Sequence, residues 1–444
     1  MSLFNTLAVG ASGLGASSST LSVIGDNVAN IGTTGYKSSR ASFGDMMPEV
    51  CGGITGPTIR GLGTRLLGID TQFTQGTLTD TGNALDTAIS GPGFFQVSSG
   101  DQDFYTRDGS FRVDKDHYIV SPQGLRLQGY GVQDNEIVST LEDVRLNLNP
   151  IDHKTTENIS IDAVFAADAD FTTTPYTAAV KDGTAAGSSF ADLSTAADFS
   201  TSSTVYDSMG VAHDATILFE RVGPNDWNWS AVVDGGEVDF SGDGVPDGDA
   251  GYAFEISSGT MSFDSNGKLA AFTETPTPTT WNWPGASQFT FNLKVGLDSA
   301  GNSVEGMVRM TGSASAVTSI NQDGYRSSNL VSLRITQDGC INASYENGEE
   351  LILAQIALAV FPSEGGLQRV GGNLYEESGR SGAAAMGAPG EGGRGVTTGY
   401  ALEGSNVELE DQFVEMIQAQ RAYQANTGVI RTANETLQQL VNLV

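Results

Sequence analysis

The chain reads as a mainly β protein with α-helical termini. The N- and C-terminal helices are expected to pair in a coiled-coil-like inner domain, with nested β-domains inserted between them. Near the start, Leu7, Leu14, Leu21 and Val28 recur every seven residues, and Leu3, Ile24 and Ile31 fall on neighbouring positions. Near the end, Leu409, Met416, Tyr423, Ile430, Leu437 and Val444 recur in the same way, flanked by Phe413, Ala419, Ala433 and Leu440. A seven-residue apolar repeat keeps one seam of a helix turned towards a partner. Between the ends lie short apolar–polar alternations broken by Gly, Asn and Asp, the pattern of strands and turns.

Residues 3–31 form the first helical stretch. Gly10, Gly13, Gly15 and the run Ser17-Ser18-Ser19 are poor helix formers, each Gly costing up to about 1 kcal/mol relative to Ala. Such a helix is marginal alone and forms when packed, and its glycines permit close helix–helix approach. Residues 32–75 are Gly- and Thr-rich and predict an irregular connector. From Gly76 the pattern turns to strands, with turns at Asp108-Gly109, Asn266-Gly267, Asp338-Gly339 and Asn347-Gly348. Val331, Leu333 and Ile335 alternate with polar residues, as in a half-buried strand. Residues 165–205 predict surface loops or edge strands. Residues 379–399 read as a Gly/Ala linker holding Pro389, and the last helix is expected over 402–444, a length on the order of 60 Å. The domains expected are 1–32 with 400–444, 33–75 with 379–399, 76–148 with 315–378, and a variable outer domain over 149–314.

Composition narrows the function. The net charge is −31, and residues 151–311 carry 23 acidic against six basic residues. Phosphate binding needs a basic surface, so nucleic acid is excluded as a partner. The acid excess reads as a soluble, mutually repelling surface. Only Cys51 and Cys340 are present; one long-range bridge or two buried thiols both fit, and the low count favours thiols. Residues 1–36 hold no Lys, Arg or His, so the basic region of a secretory signal is missing. No run of about 18 apolar residues is seen, so no membrane insertion is expected. An extracellular protein of this sequence leaves the cell without a cleaved signal.

Motifs for chemistry are weak. Asp239, Ser241, Asp243, Gly244 and Asp247 have calcium-loop spacing, but the twelfth position is Ala250, so the bidentate acid is missing. Asp249 is the one nearby carboxylate that could substitute, and a solvated acidic turn is the plainer reading. Gly390, Gly392 and Gly395 match a dinucleotide fingerprint but follow no strand. Trp227 with Trp229, and Trp281 with Trp283, each place two indoles on one strand face; sugar binding is one use of such a stripe and core packing the commoner one. His117, His153 and His213 share no metal spacing, and His117 is placed at a strand edge. No catalytic motif is present, so no enzyme activity and no cofactor are expected. Arg421 reads as a solvated or inter-subunit ion-pairing residue near Glu415 and Glu435, and Asn406 as a cap for the last helix.

Several stretches together resemble the bacterial flagellar rod–hook family of axial proteins. Asp26-Asn27-Val28-Ala29-Asn30 followed by Thr33-Thr34-Gly35-Tyr36-Lys37 resembles the family's N-terminal signature, with Gly32 where Asn, Ala or Ser is usual. Residues 81–86 and 91–97, then Tyr105-Thr106-Arg107-Asp108-Gly109-Ser110-Phe111, resemble its first β motif. Ser405-Asn406-Val407-Glu408-Leu409 and residues 416–426, with Gln420, Arg421 and Tyr423, resemble its C-terminal signature, with Gly428 where Lys is common. Gln322-Asp323-Gly324-Tyr325, Asn347-Gly348, Ala359-Val360-Phe361 and Gly372-Asn373-Leu374-Tyr375 resemble the second half of an inner β-domain typical of the hook branch.

The resemblance implies a non-enzymatic structural subunit, exported through the flagellar type III apparatus, whose terminal helices line a helical tube that joins rod to filament and transmits torque. It implies self-assembly, with rod proteins, a hook cap and hook–filament junction proteins as further partners. A distal-rod-like subunit is the alternative within the family. A secreted calcium- or carbohydrate-binding surface protein is the alternative outside it.

Overall fold

The computed structural model describes residues 3–46, 49–53, 56–100, 102–133, 136–168, 182–239, 241–276, 281–288, 292–295, 309–312 and 314–441. It contains α1 (Leu3–Ala29), α2 (Phe190–Ala196) and α3 (Leu409–Val441), and the remaining regular structure is mostly strand. Contacts divide the chain into two units, Met1–Leu148 with Val331–Ser344 and Gly348–Val444, and Asn149–Leu330 with Tyr345–Asn347.

In the first unit α1 and α3 lie side by side. Gly10 meets Ile430, Gly13 meets Asn426 and Asn27 meets Gln412, so the helices run antiparallel. α1 ends at Ala29, two residues before the expected limit, where the Asn30 amide turns back to the Asp26 carbonyl and Gly35 adopts a φ of +69°. α3 starts at Leu409 rather than 402, because Ala401–Glu403 is a strand paired with Leu78–Asp80. Its 33 residues span about 50 Å.

The expected irregular connector is instead ordered. β1 (Ser39–Asp45) pairs antiparallel with β4 (Thr64–Thr71), from Ser39↔Thr71 to Asp45↔Thr64, with a bulge between Ser42 and Phe43. β2 (Glu49–Gly53) and β3 (Gly56–Arg60) pair beyond them. Leu66, Leu67 and Ile69 of β4 are exposed. Neither β1 nor β4 shows a clean buried–exposed alternation, which is why period-2 reading misses the hairpin.

The β body is a sheet whose main path runs Leu330–Ile335, Cys340–Tyr345, Glu350–Ile356, Arg126–Gln133, Phe94–Ser98, Asp103–Thr106, Leu374–Glu376 and Gln368–Gly371. Phe94–Ser98 is buried throughout. Successive strand residues face opposite sides, so Phe95 joins Ile89, Phe111, Leu127 and Ile356, while Phe94 joins Tyr105, Phe361 and Tyr375. One strand thus serves two cores. Gly339 and Gly348 take positive φ at their expected turns. Asp108-Gly109 does not close a hairpin; the Asp108 carboxylate accepts from Ser110 N–H and Gly109 packs on Thr87. His117 sits in a turn between Arg112–Val113 and Ile119–Val120, with a φ of 67°, rather than at a strand edge.

The 379–399 segment is no free linker either. Ala385–Gly387 pairs with Leu358–Val360, and Val396–Gly399 pairs with Thr87–Ser90. The small residues let this return segment lie close on the body: a Cβ on Gly395 would stand 2.5 Å from the Ser90 carbonyl oxygen.

In the second unit a five-stranded antiparallel sheet (Phe199–Tyr206, Ala212–Arg221, Asp226–Asp234, Ala253–Phe263, Leu269–Pro276) shares one core with a sheet built on Asn158–Ala166. Ile159, Ile161 and Phe165 meet Ile217, Phe219, Trp227 and Trp229 there. All four tryptophans are buried, and the Trp229 indole N–H donates to the Thr273 carbonyl. Ala316–Gln322 pairs with Asn158–Ala166, so this unit runs past the expected limit at 314. Asp323 follows suit, accepting from the backbone N–H groups of Glu157 and Asn158. The Gln322-Asp323-Gly324-Tyr325 stretch therefore belongs here and not to the inner β-domain. Of the expected loop region, 169–181 lies outside the described residues; the rest holds α2, capped by Ser189, and the strand Phe199–Tyr206.

Candidate assembly site

The two terminal helices meet through small residues. A Cβ on Gly10 would lie 3.0 Å from Ile430 Cγ1, and one on Gly13 would lie 2.7 Å from Asn426 Nδ2. The buried positions are Gly10, Ser17, Val23, Ile24 and Asn27 on α1, and Ala419 and Ala433 on α3. Gly10, Ser17 and Ile24 recur every seven residues and Ala419 and Ala433 lie fourteen apart, offset from the large apolar series. Ile24 is buried, whereas Leu7, Leu14, Leu21 and Val28 are half-buried and Ile31 is exposed. On α3, Met416, Ile430 and Leu437 are half-buried, and Leu409 and Tyr423 are exposed. Val444 lies outside the described residues, as do the side chains of Leu3 and Leu440. Apart from Ile24 and Ile430, the large residues expected to fill the seam thus flank it. The α1 glycines make the room: Gly10 lies against the side chains of Ile430 and Val429, and Gly13 against that of Asn426.

An open apolar face remains on α3. Phe413, Val414 and Ile417 are 50%, 54% and 50% exposed, beside Leu409 and Tyr423. Contiguous apolar surface of this kind marks an interaction site. Asn5–Ala29 is, by length and composition, apolar enough to cross a bilayer, contrary to the reading that no such run exists. Here it packs along α3 and the β1–β4 hairpin, where the Ser12 hydroxyl receives the Thr64 N–H.

Below the helix pair, signature residues converge on one junction. Asn27 uses its whole amide: Oδ1 accepts from Ser39 N–H at 2.8 Å, and Nδ2 donates to the Ser39 carbonyl at 2.9 Å and to Gln412 Oε1 at 3.0 Å. The Tyr36 hydroxyl donates to Asp26 at 3.1 Å, and the Arg369 guanidinium lies 5.2 Å from its ring. Burial and then the Asp26 carboxylate push the Tyr36 phenol upwards. Asn406 is no helix cap. Its Oδ1 accepts from Ser38 N–H at 2.7 Å, and its Nδ2 donates to the carbonyls of Gln72 and Thr74. It therefore clamps both roots of the hairpin to the strand that precedes α3. Val407 is buried next to it, and Gly35 N–H donates to the Glu403 carbonyl at 2.7 Å.

At the centre is a buried ion cluster. Lys37 Nζ lies 2.7 Å from Glu403 Oε1, with both side chains fully buried, and Arg107 lies 3.4 Å from Glu403 Oε2. Lys37 also donates to the Thr74 carbonyl, and Gly76 N–H to Glu403 Oε1. Burial pulls the Lys37 ammonium downwards, and Glu403 opposes it. Buried pairs give little net stability over an apolar replacement but fix position strongly.

Lys37 and Arg107 lie inside the motif stretches quoted above but were not among the expected site residues, and Arg369, Glu403 and Gln412 lie in none of those stretches. The available signal was Lys37 itself, the first basic residue after 36 neutral or acidic ones. Of the remaining signature residues, Ala29 is exposed and Asn30 shapes the end of α1. Gln420, Arg421 and Tyr423 lie on the exposed side of α3 and do not join the junction.

The other motifs resolve into structure. The Asp239 carboxylate is buried and accepts from Gly242 and Gly244 N–H and the Ser241 hydroxyl, while Asp247 accepts from Ser241 N–H. Burial raises the Asp239 pKa, but these donors outweigh it and hold it below the usual range. The Asp243 carboxylate receives Val245 N–H. The lone pairs a cation would need are turned onto the loop's own backbone, and among the described residues no group of three His, Cys, Asp or Glu is placed to hold a metal. In the 390–395 loop the Arg394 guanidinium occupies the interior, donating to the Leu358, Met386 and Glu391 carbonyls. Cys340 is a free, buried thiol pushed up by burial and Asp338; the Cys51 side chain lies outside the described residues.

Comparison with known proteins agrees with this geometry. Residues 7–37 match the model of the flagella basal body rod protein, and 88–169 that of the flagellar hook protein FlgE/F/G D1 domain. Residues 149–325 match the flagellar basal body protein FlaE D2 domain, and 399–443 the flagellar basal body rod FlgEFG protein C-terminal region. The flagellar hook protein FlgE of Escherichia coli K12 is 35% identical over 97% of this chain and 98% of its own. The chain belongs to the flagellar hook protein family. Its members are structural hook proteins, not an enzyme family, and this chain is a structural subunit of the flagellar hook. FlgE of Borreliella burgdorferi is 32% identical over 99% of this chain and its whole length. The crystal structure of Helicobacter pylori hook protein FlgE2 matches 73% of this chain and all of its own at a TM-score of 0.50 and 15% identity, a likeness of fold. The D2 match, ending at 325, fits the second unit rather than the expected limit at 314.

Proposed function

We propose that this hook subunit polymerises through its terminal helices into a flexible helical tube that joins rod to filament and transmits torque. The observation carrying this reading is the α1–α3 pair: Gly10 and Gly13 of α1 pack against Ile430 and Asn426, yet α3 keeps Phe413, Val414 and Ile417 half exposed. A monomer gains nothing from that face; a neighbouring copy removes it from water. Rod proteins, a hook cap and hook–filament junction proteins are the further partners, and the flagellar type III apparatus the exporter. The subunit works outside the cell and without enzymatic activity. The test is electron microscopy of cells lacking the gene, with antibody against residues 182–239 on wild-type basal bodies. Rods ending without hooks, and label on the short curved segment, are expected. Intact hooks or label elsewhere would overturn the proposal.

A further inference from the structure

The Lys37–Glu403–Arg107 cluster draws on segments far apart in sequence: Glu403 is 366 residues from Lys37 and 296 from Arg107. All three side chains are at most 2% exposed. The two cations share a single carboxylate, which also receives Gly76 N–H, while the Glu403 backbone carbonyl receives Gly35 N–H. Glu403 therefore closes four segments at once: the exit from α1, the exit from the β1–β4 hairpin, the inner β body, and the strand leading to α3.

We infer that this cluster is a completion lock, in which Glu403 makes docking of the N-terminal helix root on the β body conditional on arrival of the C-terminal segment. The argument is electrostatic. Without Glu403, Lys37 and Arg107 would face each other away from water with no paired counter-charge, Glu364 acting on Lys37 only weakly and making no ion pair with it, an arrangement that a protein interior rejects. The neutral hydrogen bonds around them cannot substitute, since the Thr74 carbonyl offers Lys37 one acceptor and no charge. A chain that has not yet delivered residue 403 thus leaves the 33–39 and 72–77 segments undocked. A complete chain closes both together, because Asn406, three residues later, holds Ser38, Gln72 and Thr74. The lock rests on the self-assembly reading only for its use, not for its existence, and its test needs no polymer.

The test is amide hydrogen exchange on the full-length monomer, comparing the parent with Glu403→Gln, Lys37→Met and the double variant Lys37→Met/Glu403→Gln. Strand Phe94–Ser98 serves as the internal control for an intact β body. Glu403→Gln is expected to speed exchange at 35–39 and 74–76 by about a hundredfold with Phe94–Ser98 unchanged. Removing one stranded cation should then partly restore protection, so the double variant exchanges more slowly than Glu403→Gln alone, a coupling that loss of packing would not produce. Exchange within about twofold of the parent in Glu403→Gln, or faster exchange in the double variant than in Glu403→Gln, would overturn the inference. Should Glu403→Gln expose Phe94–Ser98 as well, the cluster would be part of the body's core and not a lock.

Discussion

The spacing of the helix pair gives a sharp prediction at two glycines two residues apart. Gly13 faces Asn426, and a Cβ there would stand 2.7 Å from its Nδ2 and 2.8 Å from its Cγ; Gly15 has no atom within 4 Å of the same construction. Leu at either position gains helix propensity worth up to about 1 kcal/mol. At Gly15 nothing opposes that gain. At Gly13 the added side chain meets the Asn426 amide, which must give way, and overpacking of this kind costs about 1–3 kcal/mol. The two variants should thus differ by about 1–3 kcal/mol in the opening of α1, roughly fivefold to 150-fold in local opening equilibria. Amide exchange over residues 20–27, common to both variants, reads this directly, with Gly15→Leu slower than the parent and Gly13→Leu faster. Equal exchange in the two variants would refute the close-packed seam.

Asn406→Ala should free the hairpin root, costing about 1 kcal/mol, and raise exchange at 72–76 while leaving Phe94–Ser98 protected. Trp227→Ala opens the core of the second unit and should destabilise it by about 3–5 kcal/mol; differential scanning calorimetry should show one transition falling and the transition of the first unit unmoved. Asp323 is held below the ordinary aspartate range: burial raises it, but the Asn158 and Glu157 donors and Lys154 lower it further. A depressed carboxylate contributes stability in full above its unfolded value of about 4, and loses it as pH falls through the folded value. Asp323→Asn should therefore be less stable than the parent at neutral pH and show a shallower loss below about pH 4, measured by urea denaturation.

Much of this was legible in the residues. The seven-residue repeats give both helices and their pairing, and the signature residues Asn27, Gly35, Tyr36, Asn406 and Val407 do converge. Their roles were less legible. Asn406 has the composition of a cap, yet it serves tertiary contacts because Ala401–Glu403 is drawn into a ladder and delays α3 to Leu409. The large apolar series marks the helix face but only part of the tight seam, where Gly10 and Gly13 receive Ile430 and Asn426. The β1–β4 hairpin escaped because its strands carry no clean buried–exposed alternation, and the buried cluster escaped because no local pattern links Lys37 to Glu403. The boundary at 314 failed for a similar reason: Ala316–Gln322 pairs with Asn158–Ala166, more than 140 residues earlier in the chain.

Whether the open face of α3 builds the polymer is tested most directly by electron microscopy of full-length Ile417→Asp assembled beside the parent, with thermal melting of both monomers. Ile417 is 50% exposed, so a charge there leaves the monomer's fold intact but must be buried in any contact that uses this face. Tubes from the parent, none from Ile417→Asp, and matching monomer melts are predicted. Normal tubes from Ile417→Asp would contradict assembly through the terminal helices.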